Sequence, residues 1–521
     1  MKTFSRRSAL KLASAASVSA LAAASSALPL ARHGDVALWE TFEVAFDGPR
    51  EGNPFVDVEL TAVFRLDHRE VKVWGFYDGD GVYKVRFMPD AVGAWSYTTE
   101  SSAAALRGQQ GRFVATAAKA GVRGMVGVQN IHHFAYGDGT PYYPFGTTCY
   151  AWAWASEALQ QQTIETLKTA PFNKMRMCVF PTHGEPVLYP FERDSTGKND
   201  FSRLNPTYFA HLERRVGELQ AMGIEVDLIL FHPYDHWGYA EMSAAEDDRY
   251  LKYVLARFSA FRSIWWSLAN EFDLMKAKKV SDFDRLFHIV EQHDPYGHLR
   301  SIHYSKVMYD YTHLWVTHAS LQTWKFEEAP AYLTAWNKPV VFDEVKYEGN
   351  LNRRWGNLTG EEMAYRVWQG VVAGCYVTHG EVLLDPAAPL EEGSSVLWGA
   401  DGGVLRGTSA PKIGFLRKIV EESGAVADAR PGFEADVDAY YLNARVMAKD
   451  GKRVRVVLYY FDYHQPAWYD FPLPEGQFTA ELIDPAGQTI ERWQGYSQAR
   501  QSSNWPEGRI RRCVLSQQAS A

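Results

Sequence analysis

The chain has 521 residues, is 46% hydrophobic and 22% charged, and carries a net charge of −8. Its composition is globular, and its length calls for roughly two to four domains. The negative balance argues against a nucleic-acid or anionic-membrane partner.

The N-terminus reads Ser5-Arg6-Arg7-Ser8-Ala9-Leu10-Lys11, followed by an Ala/Ser/Leu stretch to Leu30. A charged start, a short apolar run broken by serines and small residues near Ala27 describe an export signal over residues 1–30. The paired arginines resemble the twin-arginine type, so a periplasmic or secreted location is expected. The apolar run is too short for stable membrane insertion. Without Lys2, Arg6, Arg7 and Lys11 the charge falls from −8 to −12. Cys149, Cys178, Cys375 and Cys513 show no metal-ligand spacing and are expected as structural thiols.

Residues 35–118 read as a β-sandwich. Val56 to Phe64 alternates apolar and polar, and Val71–Tyr77 and Val82–Phe87 flank an Asp-Gly-Asp-Gly turn. An Ala/Gly-rich linker at 116–124 leads to residues 125–425, where strands alternate with amphipathic helices. Eight strands are predicted, at 144–149, 174–180, 225–231, 264–270, 300–304, 314–318, 339–343 and 374–379. Eight such units in about 300 residues predict a (β/α)8 TIM barrel. The fifth-to-sixth connection is too short for a full helix. Residues 430–515 return to strand-like alternation and predict a C-terminal β-sandwich, completing a multidomain chain with a barrel between two sandwiches.

Two glutamates stand where apolar strands end, in Ser263-Ile-Trp-Trp-Ser-Leu-Ala-Asn270-Glu271 and Lys338-Pro-Val-Val-Phe-Asp343-Glu344. The C-terminal ends of barrel strands form the face on which active sites of this fold are built. Strands four and seven lie across the mouth from one another, so Glu271 and Glu344 can straddle one bond. A pair of carboxyls, one able to donate a proton and one ionised, is the equipment for cleaving a glycosidic bond. Asp343, Glu348 and Glu381 are rivals to Glu344. Asn270 is placed to bind a sugar 2-hydroxyl and Arg176 to orient Glu344. His232, His236 and His318 could bind sugar hydroxyls, and Trp152, Trp154, Trp237, Trp324, Trp355 and Trp398 are candidate stacking platforms.

This set resembles clan A of the glycoside hydrolases, and family 5 in particular. That resemblance rests on Arg176, a histidine at the third strand, Asn270-Glu271, His318, Glu344 and Trp398. The stretches Phe231–Gly238, Phe342–Gly349, Thr378–Glu381 and Leu397–Gly403 resemble bacterial multidomain endoglucanase-like proteins. The resemblance implies a retaining hydrolase of an oligosaccharide or polysaccharide, with Glu271 as acid/base, Glu344 as nucleophile and neither cofactor nor metal. A carbohydrate-binding protein without turnover and a transglycosylase are the alternatives. Two positions depart from family 5. Ser320 replaces a tyrosine expected two residues after the sixth-strand histidine, and the eighth strand carries His379 and Glu381. Counting by twos, Cys375, Val377, His379 and Glu381 share a face. That face is expected to line the barrel, so that His379 and Glu381 bind the sugar in place of the missing tyrosine.

Overall fold

The computed structural model describes residues 31–380, 383–386, 401–423, 430–431, 444–450, 453–460, 477–497 and 512–517. The N-terminal unit is a β-sandwich in which the strand Arg69–Tyr77 serves both sheets. Its first part pairs with Leu60–Leu66, and its last three residues pair with Val82–Phe87. It crosses over at Gly75, where a Cβ would lie 2.6 Å from Leu60 Cδ2 and 2.9 Å from the Lys84 carbonyl. Between the sheets, Phe64 stacks on Phe87 and Phe42 on Phe113, both with centroids 4.2 Å apart.

The barrel strands are Phe145–Thr148, Lys174–Cys178, Glu225–Ile229, Ile264–Ser267, Arg300–Ser301, Ala319–Leu321, Val340–Phe342 and Tyr376–His379. All are parallel, and seven of the eight neighbouring pairs form ladders. The ring closes between strands five and six through one bridge, His303 to Ser320. No helix separates those two strands, as the short connection predicts. Strand six begins at Ala319, later than its apolar pattern suggests, so His318 stands at its start rather than its end.

Local sequence sets the helices around the barrel. Asn205 caps Pro206–Ala221 by accepting from the Thr207 N–H, and the helix buries Phe209, Leu212, Val216 and Leu219 before Gly223 turns the chain at φ +74°. Ser243 and Glu246 form a capping box on Ala244–Phe258, and Thr359 caps Gly360–Val372. Gly370 lets the latter helix approach strand eight closely, since a Cβ there would lie 2.2 Å from Val377 Cγ2.

Two elements have no counterpart in the sequence reading. A three-stranded sheet, Val126–Gln129, His133–Tyr136 and Pro141–Tyr142, closes the N-terminal end of the barrel. Its Phe134 packs on Trp265, Tyr376 and His318. The hairpin Phe191–Arg193 and Asn199–Leu204 rises from the loop after strand two. The sandwich holds that hairpin, because Asn53 Nδ2 donates to Ser202 and Arg203 Nη2 donates to the Gly52 carbonyl.

The sandwich is fixed to the barrel helices by a buried ion network. Arg86 and Arg257 share Glu213, and Arg257 also reaches Asp78 at 2.7 Å. Both guanidiniums lie over the Phe76 ring. Removing one member would strand a buried charge, so a single substitution in this network should be strongly destabilising. Beyond the barrel, Arg430–Pro431, Ala444–Asp450, Arg453–Tyr460, Gln477–Asp484, Thr489–Ser497 and Arg512–Gln517 form an antiparallel sheet.

Candidate active site

Beneath the C-terminal mouth the barrel interior is charged. Lys174 Nζ lies 2.7 Å from Asp227 and 3.0 Å from Asp343, and Arg176 Nη1 lies 3.3 Å from Asp343. Ser320 Oγ and Thr378 Oγ1 also donate to Asp343. Although burial alone would raise the Asp343 pKa, Arg176 and Lys174 hold it well below the usual carboxylate range. Asp343 is thus a locked structural anion. Glu348 is likewise committed, accepting from the Thr408 and Ser409 N–H groups where the helix Ser409–Ser423 begins.

From this floor a chain of hydrogen bonds rises to the two glutamates. Arg176 Nη2 donates to Asn270 Oδ1 at 2.8 Å, which fixes the orientation of the amide. Asn270 Nδ2 then donates to Tyr234 Oη at 2.7 Å and to Glu344 Oε1 at 3.4 Å. Tyr234 Oη in turn donates to Glu271 Oε2 at 2.8 Å. Guanidinium, amide, phenol and carboxylate therefore polarise one another in a single direction. Glu271 and Glu344 are joined through this chain. Arg176 acts on Glu344 by its field rather than by the direct bond the sequence reading expects, with Nη2 held by Asn270 and Nη1 in ion-pair range of Asp343.

The two carboxyls have different surroundings. Glu344 is 7% exposed and receives Tyr150 Oη at 2.5 Å. Tyr347 also bonds it and lies 3.3 Å from the Tyr150 hydroxyl. Burial pushes the Glu344 pKa up, Arg176 opposes the shift, and the Glu271 charge adds to it. Glu271 is only half-buried, with Gln322 Nε2 donating to Oε1 at 3.1 Å. Its backbone is left-handed at φ +46°, a conformation costing about 1–3 kcal/mol for a residue with a Cβ. The Phe272 N–H bond to the His303 carbonyl and the Leu274 N–H bond to Glu271 hold that turn.

Tyr150, Tyr234, Gln322 and Tyr347 were missed in the sequence. Tyr234 lies inside the quoted Phe231–Gly238 stretch, and its loop is shaped by Asp235, whose carboxylate accepts four consecutive N–H groups from Trp237 to Ala240. Tyr150 ends the apolar run of strand one. A polar-tipped aromatic at that rim position is the signal that could have found it, and its hydroxyl donates to Glu344.

Several expected ligands stand elsewhere. His232 is buried, accepts from the Tyr234 N–H and donates to the Phe180 carbonyl, so it supports Tyr234 rather than a substrate. His318 is packed against Trp265 and Phe134 at the far end of the barrel, where burial lowers its pKa to about 3. The assumed facing of strand eight is inverted. Thr378 points inward to Asp343, whereas His379 stacks on Phe172 and bonds Ser409 and Thr147 on the helix side. Satisfying Asp343 sets that phase, and the apolar Val377 is left to face the helix. His236 and Trp237 stand together on the rim, with centroids 3.9 Å apart. Trp152 and Trp154 are core residues, whereas Trp324 and Trp355 are exposed. Glu381 and Trp398 lie outside the described residues. Among the described residues, no group of three or more His, Cys, Asp or Glu side chains could hold a metal ion.

A family model described as an apiosidase-like catalytic domain matches residues 128–384, and a domain of unknown function, DUF5060, matches residues 35–102. A Bacteroides vulgatus protein assigned to the glycoside hydrolases superposes with a TM-score of 0.84 at 35% identity, covering 93% of this chain and 100% of its own. The chain belongs to the glycoside hydrolases. This glycosidase also shares its fold with a Bacteroides vulgatus glycoside hydrolase of family 5, at a TM-score of 0.60 and 14% identity, covering 76% of this chain and 94% of the other. A further glycoside hydrolase matches at 0.60 and 13% identity, over 77% and 98%. No curated protein matches the glycosidase.

Proposed function

We propose that the glycosidase works with retention, Glu344 as nucleophile and Glu271 as acid/base. The Asn270–Tyr234 relay that joins the two carboxyls at the barrel mouth carries this reading. In the first step a Glu344 oxygen attacks the anomeric carbon while Glu271 gives its proton to the departing glycosidic oxygen. In the second, Glu271 takes a proton from water, which displaces Glu344 and returns the same anomeric configuration. Asn270 is placed to bond the sugar 2-hydroxyl, while Tyr150 and Tyr347 keep Glu344 aimed. The exposed Trp324 and Trp355, in the loops after strands six and seven, offer rings for sugar units beyond the reacting one.

The apiosidase-like match puts apiosides on the substrate panel beside hexosides and polysaccharides. On the first aryl glycoside cleaved, proton NMR of the nascent sugar should show the substrate's own anomeric configuration. Inversion would overturn the double displacement. Export belongs to the same reading and is supported by Arg6-Arg7 and the Ala/Ser/Leu stretch that follows. The full chain should accumulate outside the bacterial cytoplasm, and Arg6→Lys with Arg7→Lys should retain it inside. Equal export of both would overturn the twin-arginine route.

A further inference from the structure

His303 follows strand five and is held on both sides. Its N–H bonds the Ala269 carbonyl, its carbonyl accepts from Phe272, and it forms the bridge to Ser320 that closes the barrel. The side chain is fully buried at 0% exposure, yet neither Nδ1 nor Nε2 has a hydrogen-bond partner. Buried ring nitrogens left open are uncommon and call for an explanation. Nε2 stands 4.0 Å from Glu344 Oε1. The groups acting on the ring are Arg176, Asp343 and Lys174. Burial first, then the Arg176 charge, keep the imidazole neutral. A neutral imidazole has one N–H to give.

The donors around Glu344 show what that N–H is for. Tyr150 approaches from strand one, Asn270 from strand four and Tyr347 from the loop that Glu344 itself opens, while Arg176, Tyr234 and Glu271 add their fields. The Tyr150 bond is short at 2.5 Å and the Asn270 bond is long at 3.4 Å. If the Asn270 hydrogen turns to a sugar 2-hydroxyl, Glu344 Oε1 loses a donor just when its charge must be held for attack. A movement of about 1 Å would bring His303 Nε2 to the distance of a bond to a carboxylate.

We propose that His303 is a positioning residue that donates its Nε2 hydrogen to Glu344 Oε1 when Asn270 engages the substrate. The role rests on Glu344 being the nucleophile. The bond is strongest to the free carboxylate and weakens once Glu344 becomes an ester, so His303 favours the ionised, aimed nucleophile at the start of each turnover.

The test compares His303→Phe, which keeps a ring but removes both nitrogens, with His303→Gln, whose amide nitrogen reaches about as far as Nε2. On the aryl glycoside that the panel identifies, His303→Phe should lower kcat about tenfold to a hundredfold, the size of one bond to a charged group, with little change in KM. The acid limb of its kcat profile should move to higher pH, because a carboxylate that loses a donor in the bound complex is harder to ionise. His303→Gln should recover part of both effects. An unchanged kcat and acid limb in His303→Phe would overturn the role. So would equal kinetic losses in both variants with lowered melting temperatures, which would make the ring a packing element alone. Glu344→Gln run alongside separates the two readings. If that variant keeps turnover, the nucleophile is misassigned. If it is inactive while His303→Phe is normal, only the His303 role falls.

Discussion

Glu344→Gln is expected to lower kcat by at least about ten-thousandfold while leaving the fold intact. The amide has the same shape and can still meet Tyr150 and Tyr347, but it cannot attack the anomeric carbon. Among the described residues neither rival can substitute, because Asp343 is locked by Lys174 and Arg176, and Glu348 is spent on a helix terminus. The pKa direction gives a second readout. Burial raises the folded-state value of Glu344, so its stability contribution is fully present below the unfolded glutamate value and is lost as pH rises through the folded value. At neutral pH the buried charge is therefore a burden that glutamine removes. The melting temperature of Glu344→Gln should match or exceed that of the parent at pH 7 and converge with it in acid. In the parent, kcat/KM should begin to fall on the acid side above the ordinary glutamate range. Sustained turnover by pure Glu344→Gln would overturn the assignment.

Much of this arrangement was legible in the sequence. Apolar runs ending in Asn270-Glu271 and Asp343-Glu344 placed both carboxyls at strand ends, and period-3.6 stripes such as Phe209, Leu212, Val216 and Leu219 placed the helices. The three-stranded sheet beneath the barrel was hidden because Val126–Tyr142 is interrupted by turns and contributes only short strands. The histidines misled for a physical reason. Imidazole is polar enough to suggest a ligand, yet small enough to be satisfied by one carbonyl or hydroxyl in a core. His232 and His379 both found such partners. Strand eight was phased on the assumption that its polar histidine faced the cleft. The charged interior around Asp343 instead required the hydroxyl of Thr378, and that single contact reversed the face. Tyr150 and Gln322 were invisible to periodicity because their roles depend on which strands become neighbours, not on local pattern.

Glu271→Ala tests the other half of the site, and its outcome should depend on the leaving group. A proton delivered in the transition state is worth about a hundredfold to ten-thousandfold. Substrates with alkyl or sugar leaving groups should lose that much, whereas activated aryl glycosides should still form the glycosyl-enzyme at close to the parent rate. Hydrolysis of that intermediate then lacks its base, so a burst of the aryl alcohol should precede a slow steady state. Azide needs no base. It can attack the anomeric carbon and displace the Glu344 carboxylate, restoring turnover and yielding a glycosyl azide of the substrate's own configuration. The geometry keeps this test clean, since the half-buried Glu271 side chain is held by Tyr234 and Gln322, outside the buried ion cluster. Alanine at the same left-handed backbone adds no new strain class. Equal losses on activated and unactivated substrates, with no azide product, would remove Glu271 from proton transfer.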